Sequence, residues 1–150
     1  MRIAAVVALA LGVALLAPAR AWAPIATEYI IIVGLAATGD AATLGLSINS
    51  EDAARPFGSV RLGHDVLLPR GDGSSAQFAD ANGNGDAGLT LAEIALADVR
   101  TGRPALATLR PAAGEDIDAT GRHAGTLDLC VGSDCTRLDV ELRAVVNAFR

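Results

Sequence analysis

Apolar and polar residues alternate with a period of two along several short stretches of this chain. Leu127, Leu129 and Val131 alternate with Asp128 and Cys130. After Gly132, Ser133 and Asp134 the alternation resumes, with Leu138, Val140 and Leu142 set against Arg137, Asp139, Glu141 and Arg143. Period two is the side-chain repeat of a strand with one buried face. The same texture runs from Thr43 to Asn49, behind a β-branched cluster at Ile30, Ile31, Ile32 and Val33. The pattern predicts strands at 29–36, 43–49, 59–62, 65–68, 105–109, 126–131 and 135–143, with one short helix over 91–100. Seven or so short strands separated by turn residues imply a mainly β fold, a small antiparallel β-sandwich or barrel.

The N-terminus follows another rule. Arg2 precedes an apolar run from Ile3 to Ala17, Pro18 ends it, and Ala19-Arg20-Ala21 supplies small residues flanking a cleavage point. This is the layout of a secretory signal peptide. As a helix the run rises about 22 Å, short of a hydrocarbon core of about 30 Å, which weighs against a retained anchor. The expectation is a signal peptide at 1–21, a single β-rich domain at 22–150, and a secreted or periplasmic location. A second apolar stretch, Tyr29 to Ile48, is long enough to span a membrane. Its alternation and its central Asp40 instead predict a hairpin turning near Gly39 and Asp40, with no membrane span after cleavage.

Charge narrows the partners. Seventeen acidic side chains against twelve basic ones give a formal charge of -5. Loss of residues 1–21 removes Arg2 and Arg20 and no acid, which moves the balance to -7. Nucleic acid is excluded on this ground, because phosphate binding needs a basic face. Every basic side chain is arginine, so Schiff-base and P-loop lysine chemistry are absent. The five aromatics, Trp22, Tyr29, Phe57, Phe78 and Phe149, are too scattered along the chain to form a stacking platform.

Two cysteines occur, Cys130 and Cys135, on the polar faces of the two C-terminal strands. If the turn sets them opposite one another, the same register sets Asp128 opposite Arg137 and Leu127 opposite Leu138. One register then satisfies a disulfide, an ion pair and a core contact. Their spacing is neither the C-x-x-C of a dithiol oxidoreductase nor part of a zinc quartet, so a structural disulfide is expected.

The segment from Asp80 to Glu93 is rich in Asn, Gly and Asp. With Asn82 first, the residues Asn82, Asn84, Asp86, the Gly88 carbonyl, Thr90 and Glu93 fall at the ligand positions of a calcium loop, and Leu89 at its apolar position. The stretch resembles an EF-hand loop, which implies one weak calcium site built from alternate oxygens converging on the ion. It departs from that pattern in having Asn82 where the family has Asp and Ala87 where it has glycine. A frame starting at Asp80 restores the acid and puts Gly85 at the turn, but brings Glu93 two residues too late. The competing reading is ion-free: Asn-Gly turns followed by a capping box, Thr90 to Glu93, at the start of the helix.

Other chemistry is sparse. His64 and Asp65, with Ser59 nearby, are the candidate catalytic groups, but no nucleophile elbow accompanies them. His123 is the second imidazole. Glu115, Asp116 and Asp118 sit in a turn-rich stretch, and Arg70-Gly71-Asp72 matches an adhesion tripeptide that more simply marks a turn. The reading is an exported non-enzymatic binding or structural module with an unidentified protein or surface partner, stabilised by one weak calcium loop. The alternatives are a small secreted hydrolase using His64 and Asp65, and an accessory subunit of a cell-envelope assembly.

Overall fold

The computed structural model describes residues 27–36, 42–85, 87–113, 117 and 120–148. The expected signal segment 1–21, the turn near Gly39 and Asp40, the calcium-frame residue Asp86, and Glu115, Asp116 and Asp118 lie outside these residues.

Among the described residues nine antiparallel strands make one sheet: β1 (Thr27–Leu35), β2 (Ala42–Asn49), β3 (Phe57–Leu62), β4 (Asp65–Pro69), β5 (Ser75–Ala79), β6 (Gly88–Asp98), β7 (Pro104–Pro111), β8 (Gly121–Val131) and β9 (Asp134–Ala148). The order runs β4-β3-β2-β1-β9-β8-β7-β6-β5. Pairing of Leu67, Leu68 and Pro69 with Asp98, Ala97 and Leu96 joins β4 back to β6, so eight strands close into a barrel. Of the two expected architectures the barrel is the one formed. β5 stands outside this ring and occupies the other half of the same β6 edge, from Ser75 opposite Glu93 to Ala79 opposite Gly88.

Alternation decides what fills the ring. Ile31 and Val33, Leu46 and Ile48, Val60, Leu67, Ile94 and Leu96, Ala107 and Leu109, Leu127 and Leu129, and Val140 and Leu142 are all buried. Their strand neighbours point outward and include Arg61, Glu93, Arg110, Asp128, Asp139 and Arg143. Apolar residues inside and charged ones outside reverse the polarity of a membrane barrel, whose outward band is apolar. Ile117 enters from the β7–β8 connection, bridges Leu89 and is fully buried, so a loop residue completes the core.

The segment 91–100, expected as a helix, is instead most of β6, with a turn after Asp98. Ala92, Ile94, Leu96 and Asp98 face inward, whereas Leu91, Glu93, Ala95 and Ala97 face outward. Alanine and leucine on both faces blur the period of two, and Ala, Leu and Glu are good helix formers. Those preferences amount to less than about 0.7 kcal/mol per residue, and β6 gains ladders on both edges, with β7 on one side and β4 and β5 on the other. The Thr90 hydroxyl, expected to cap the helix, donates to the Gln77 carbonyl of β5 at 3.1 Å.

Between β4 and β5 the chain bulges away from β6 over residues 70–74. The Arg70 N–H still donates to the Ala95 carbonyl. The Ala95 N–H, lacking a backbone acceptor, donates to the buried Ser74 hydroxyl at 3.0 Å. A side chain thus repairs the ladder where the backbone departs from it.

Candidate functional site

A groove arises where β3 and β4 part. They pair only through Val60–Leu67, Arg61–Val66 and Leu62–Asp65. Below Val60, β3 stays with β2, setting Phe57 opposite Ser47 and Gly58 opposite Leu46, while Leu68 and Pro69 of β4 turn to β6. Gly58 is the local cause. Its φ is +120°, a region that side-chain-bearing residues avoid, and a Cβ there would lie 2.0 Å from the Gly45 carbonyl oxygen. Glycine therefore lets β3 press onto β2 and open a gap toward β4.

That gap holds about 530 Å³ and is lined by Arg55, Pro56, Phe57 and Gly58 on one lip and Leu68, Pro69, Arg70 and Gly71 on the other. Phe57 is 75% exposed and Leu68 42%. A large aromatic left this open costs hydration free energy that burial against a partner would recover, at about 25 cal/mol per Å². Among the described residues neither the Arg55 nor the Arg70 guanidinium has a carboxylate within ion-pair distance, although Asp52 and Asp72 lie in the adjoining turns. Aromatic and arginine side chains together are the composition of binding hot spots.

The C-terminal hairpin forms in the expected register, with Cys130 opposite Cys135, Asp128 opposite Arg137 and Leu127 opposite Leu138. Cys130 and Cys135 are disulfide-bonded, with Cα atoms 4.0 Å apart. Gly132, at φ +62°, opens the two-residue turn between Val131 and Asp134. Asp128 receives Arg137 Nε at 2.6 Å and Arg110 Nη1 at 3.0 Å. Hydrogen bonding from Arg137 lowers the Asp128 pKa from its ordinary value against the opposing effect of desolvation, and the charges of Arg137 and Arg110 add to the lowering. In this strip one carboxylate thus engages two guanidiniums.

The calcium frame is drawn out along a strand. Gly88, Thr90 and Glu93 all belong to β6, so Glu93 lies about 17 Å along the chain from Gly88 and pairs with Ser75. Asn82 and Asn84 stay together in the β5–β6 loop. There Asp80 accepts the N–H groups of Asn84 and Gly85, each at 3.0 Å, and Asn82 Oδ1 also accepts from Asn84. These are turn-closing bonds of the kind Asp and Asn side chains make. Among the described residues no three His, Cys, Asp or Glu side chains gather as a metal-holding group.

His64 sits in the two-residue turn between β3 and β4 and is exposed, its carbonyl accepting from Arg100 Nη2 at 2.7 Å. Ser59 lies three residues up β3 from Leu62, the partner of Asp65. An extended strand puts about 10 Å along that interval, so the three groups are not gathered as a triad. At the same end of the barrel the buried Asp98 closes the β6–β7 turn. Its Oδ1 accepts the N–H groups of Arg100 and Thr101, both at 2.9 Å, and the Thr101 hydroxyl. The Thr101 N–H is the largest influence on its carboxyl, lowering its pKa against the effect of burial. Arg70-Gly71-Asp72 is exposed and forms the beginning of the bulge, with Arg70 on the groove lip.

Sequence reasoning passed over Arg55, Phe57 and Leu68. The available signal was Phe57, one of three phenylalanines, next to Arg55-Pro56 in an otherwise acidic chain.

Fold and groove together define a small closed antiparallel barrel with a packed interior and an outward-facing apolar and basic groove. The chain matches no protein-family model, and no curated protein or solved structure is significantly similar to it.

Proposed function

We propose that this chain is an exported, non-enzymatic binding module that takes its partner on the outside of the barrel, in the groove between β3 and β4. The observation that carries the reading is Phe57, three-quarters exposed beside two guanidiniums that have no acidic partner among the described residues. The aliphatic filling of the ring supports it, since a packed interior directs binding to the surface. Export rests on the signal-like segment 1–21 and accords with a disulfide, which persists in oxidising compartments. Calcium has no part in the groove. A calcium ion at the β5–β6 loop would draw on the oxygens of Asn82, Asn84 and their neighbours and serve the stability of that loop.

The test is to titrate the 15N-labelled mature chain with a panel of short blocked peptides and soluble sugars while following backbone amide shifts. The reading predicts perturbations clustered at 55–58 and 68–71. Shifts confined to the His64 turn, or to residues facing the barrel interior, would contradict it.

A further inference from the structure

We infer that the occupant of this groove is an extended acidic segment of a partner protein, added as a strand along β3 with its carboxylates on Arg55 and Arg70. The inference rests on the groove reading above and names its partner. Three features of the groove converge on that chemistry.

The first is backbone. From Phe57 to Ser59, β3 is paired with β2 on one side and with no described strand on the other, because its ladder with β4 begins at Val60. An unpaired edge is a template for strand addition, in which main-chain hydrogen bonds supply affinity and neighbouring side chains supply selectivity. The opposite lip cannot compete for the incoming chain: Leu68 and Pro69 are paired with β6, and Pro69 has no N–H to offer. β3 is thus the edge on which the added strand would bond.

The second is apolar surface. Phe57 and Leu68 flank the gap from its two lips, so a strand lying between them would cover both. Outward apolar surface also continues beyond β3, where Ser47 separates Phe57 from Ile32, itself 43% exposed. Aromatic and aliphatic cross-strand neighbours stabilise such pairing.

The third is charge. The protein is acidic overall at -5, yet this groove presents two arginines without acidic partners, Arg55 and Arg70. Arg55 and Arg70 line the gap from its two lips, so a strand lying between the lips passes both cations. A carboxylate arriving there meets a guanidinium fork suited to it, whereas a basic peptide meets repulsion at the same point.

The experiment uses the mature chain and a fluorescein-labelled, end-blocked pentapeptide, Glu-Val-Phe-Val-Glu, read by fluorescence anisotropy. It carries an acid at both ends so that either strand direction brings one to the arginines. Two exposed charge pairs predict about tenfold tighter binding than the glutamine-ended or lysine-ended version. N-methylation of the three central amides, which keeps every side chain and removes the strand donors on both edges, should weaken binding. Arg55→Gln with Arg70→Gln should abolish the preference for acid while circular dichroism and thermal midpoint show the fold intact. Equal binding of the glutamine-ended peptide overturns the charge assignment, and equal binding of the N-methylated peptide overturns strand addition. Displacement of the acidic peptide by millimolar inorganic phosphate, with no dependence on Phe57, reduces the feature to a simple anion site. In each of these cases amide shifts at 57 and 68 would still support the groove as a binding surface. If no peptide perturbs those amides, both readings fall together.

Discussion

Asp128 and Arg137 face each other across β8 and β9 at 2.6 Å, one pair beyond Leu129–Thr136 and two beyond the Cys130–Cys135 disulfide. Counted from the two-residue turn, disulfide and ion pair both fall on the closer, non-hydrogen-bonded pairs, where side chains meet most directly. Arg110 approaches Asp128 from β7, so one carboxylate ties three strands together on the outer face.

This arrangement sets an acid dependence. Hydrogen bonding from Arg137, against partial desolvation, holds the Asp128 pKa below its ordinary 3.8. A carboxylate lowered on folding adds stability that is fully present above the ordinary value and is lost as pH falls through the lowered one. Asp98, lowered chiefly by the Thr101 N–H against burial, acts in the same direction. The thermal midpoint should therefore fall below about pH 4, and Asp128→Asn should fall less steeply over that range. Identical midpoint-versus-pH curves for the two proteins would contradict this.

The disulfide closes a separation of five residues in a hairpin whose ladder runs on from Val131 to Gly121. Loop-closure entropy over so short a span amounts to about 2 kcal/mol. Cys130→Ser with Cys135→Ser should therefore remain folded, with a lower urea midpoint and an unchanged slope. An unfolded double variant at room temperature would show that the bridge does more than pin the hairpin.

Ile117 makes its case from a loop. It is fully buried and bridges Leu89, so its removal leaves a cavity in the same core as Leu127 and Ile94. Ile117→Ala should cost about 2–4 kcal/mol, the range of buried aliphatic truncations and well above that of ordinary loop substitutions. A loss below about 0.5 kcal/mol in denaturant unfolding would place Ile117 outside the cooperative core.

Glu93 tests the calcium resemblance. It is exposed on β6 and pairs with Ser75, away from the Asn82–Asn84 loop. Any rise in thermal midpoint produced by millimolar calcium should be the same in wild type and in Glu93→Gln. A rise that disappears with Glu93→Gln would mean that this carboxylate reaches the ion, and would require a different course for β6.

The elements best legible in the sequence are those whose two faces differ most in polarity. Between Leu127 and Leu142 every outward strand position carries a charge or a cysteine, and the register could be read to the residue. β6 was opaque for the opposite reason: Ala95 and Ala97 outside resemble Ala92 inside, and only pairing with three other strands makes the segment extended. β5 hid within a stretch rich in glycine and asparagine. Barrel closure through Leu67 and Asp98 joins strands separated by all of β5 and its loops, a non-local contact that no local pattern announces. The groove was least legible. Its two lips, 55–58 and 68–71, belong to one hairpin that local pattern would pair throughout, and the gap exists because Gly58 draws β3 toward β2 while Pro69 follows β6.

The central claim, that a partner strand completes β3 on the outside of the barrel, is tested most directly by amide hydrogen exchange across residues 57–59 with and without the Glu-Val-Phe-Val-Glu peptide. Strand addition predicts slowed exchange within 57–59 in the complex, with the β8–β9 amides unchanged. Unaltered exchange at 57–59 in a chain saturated with peptide would contradict it.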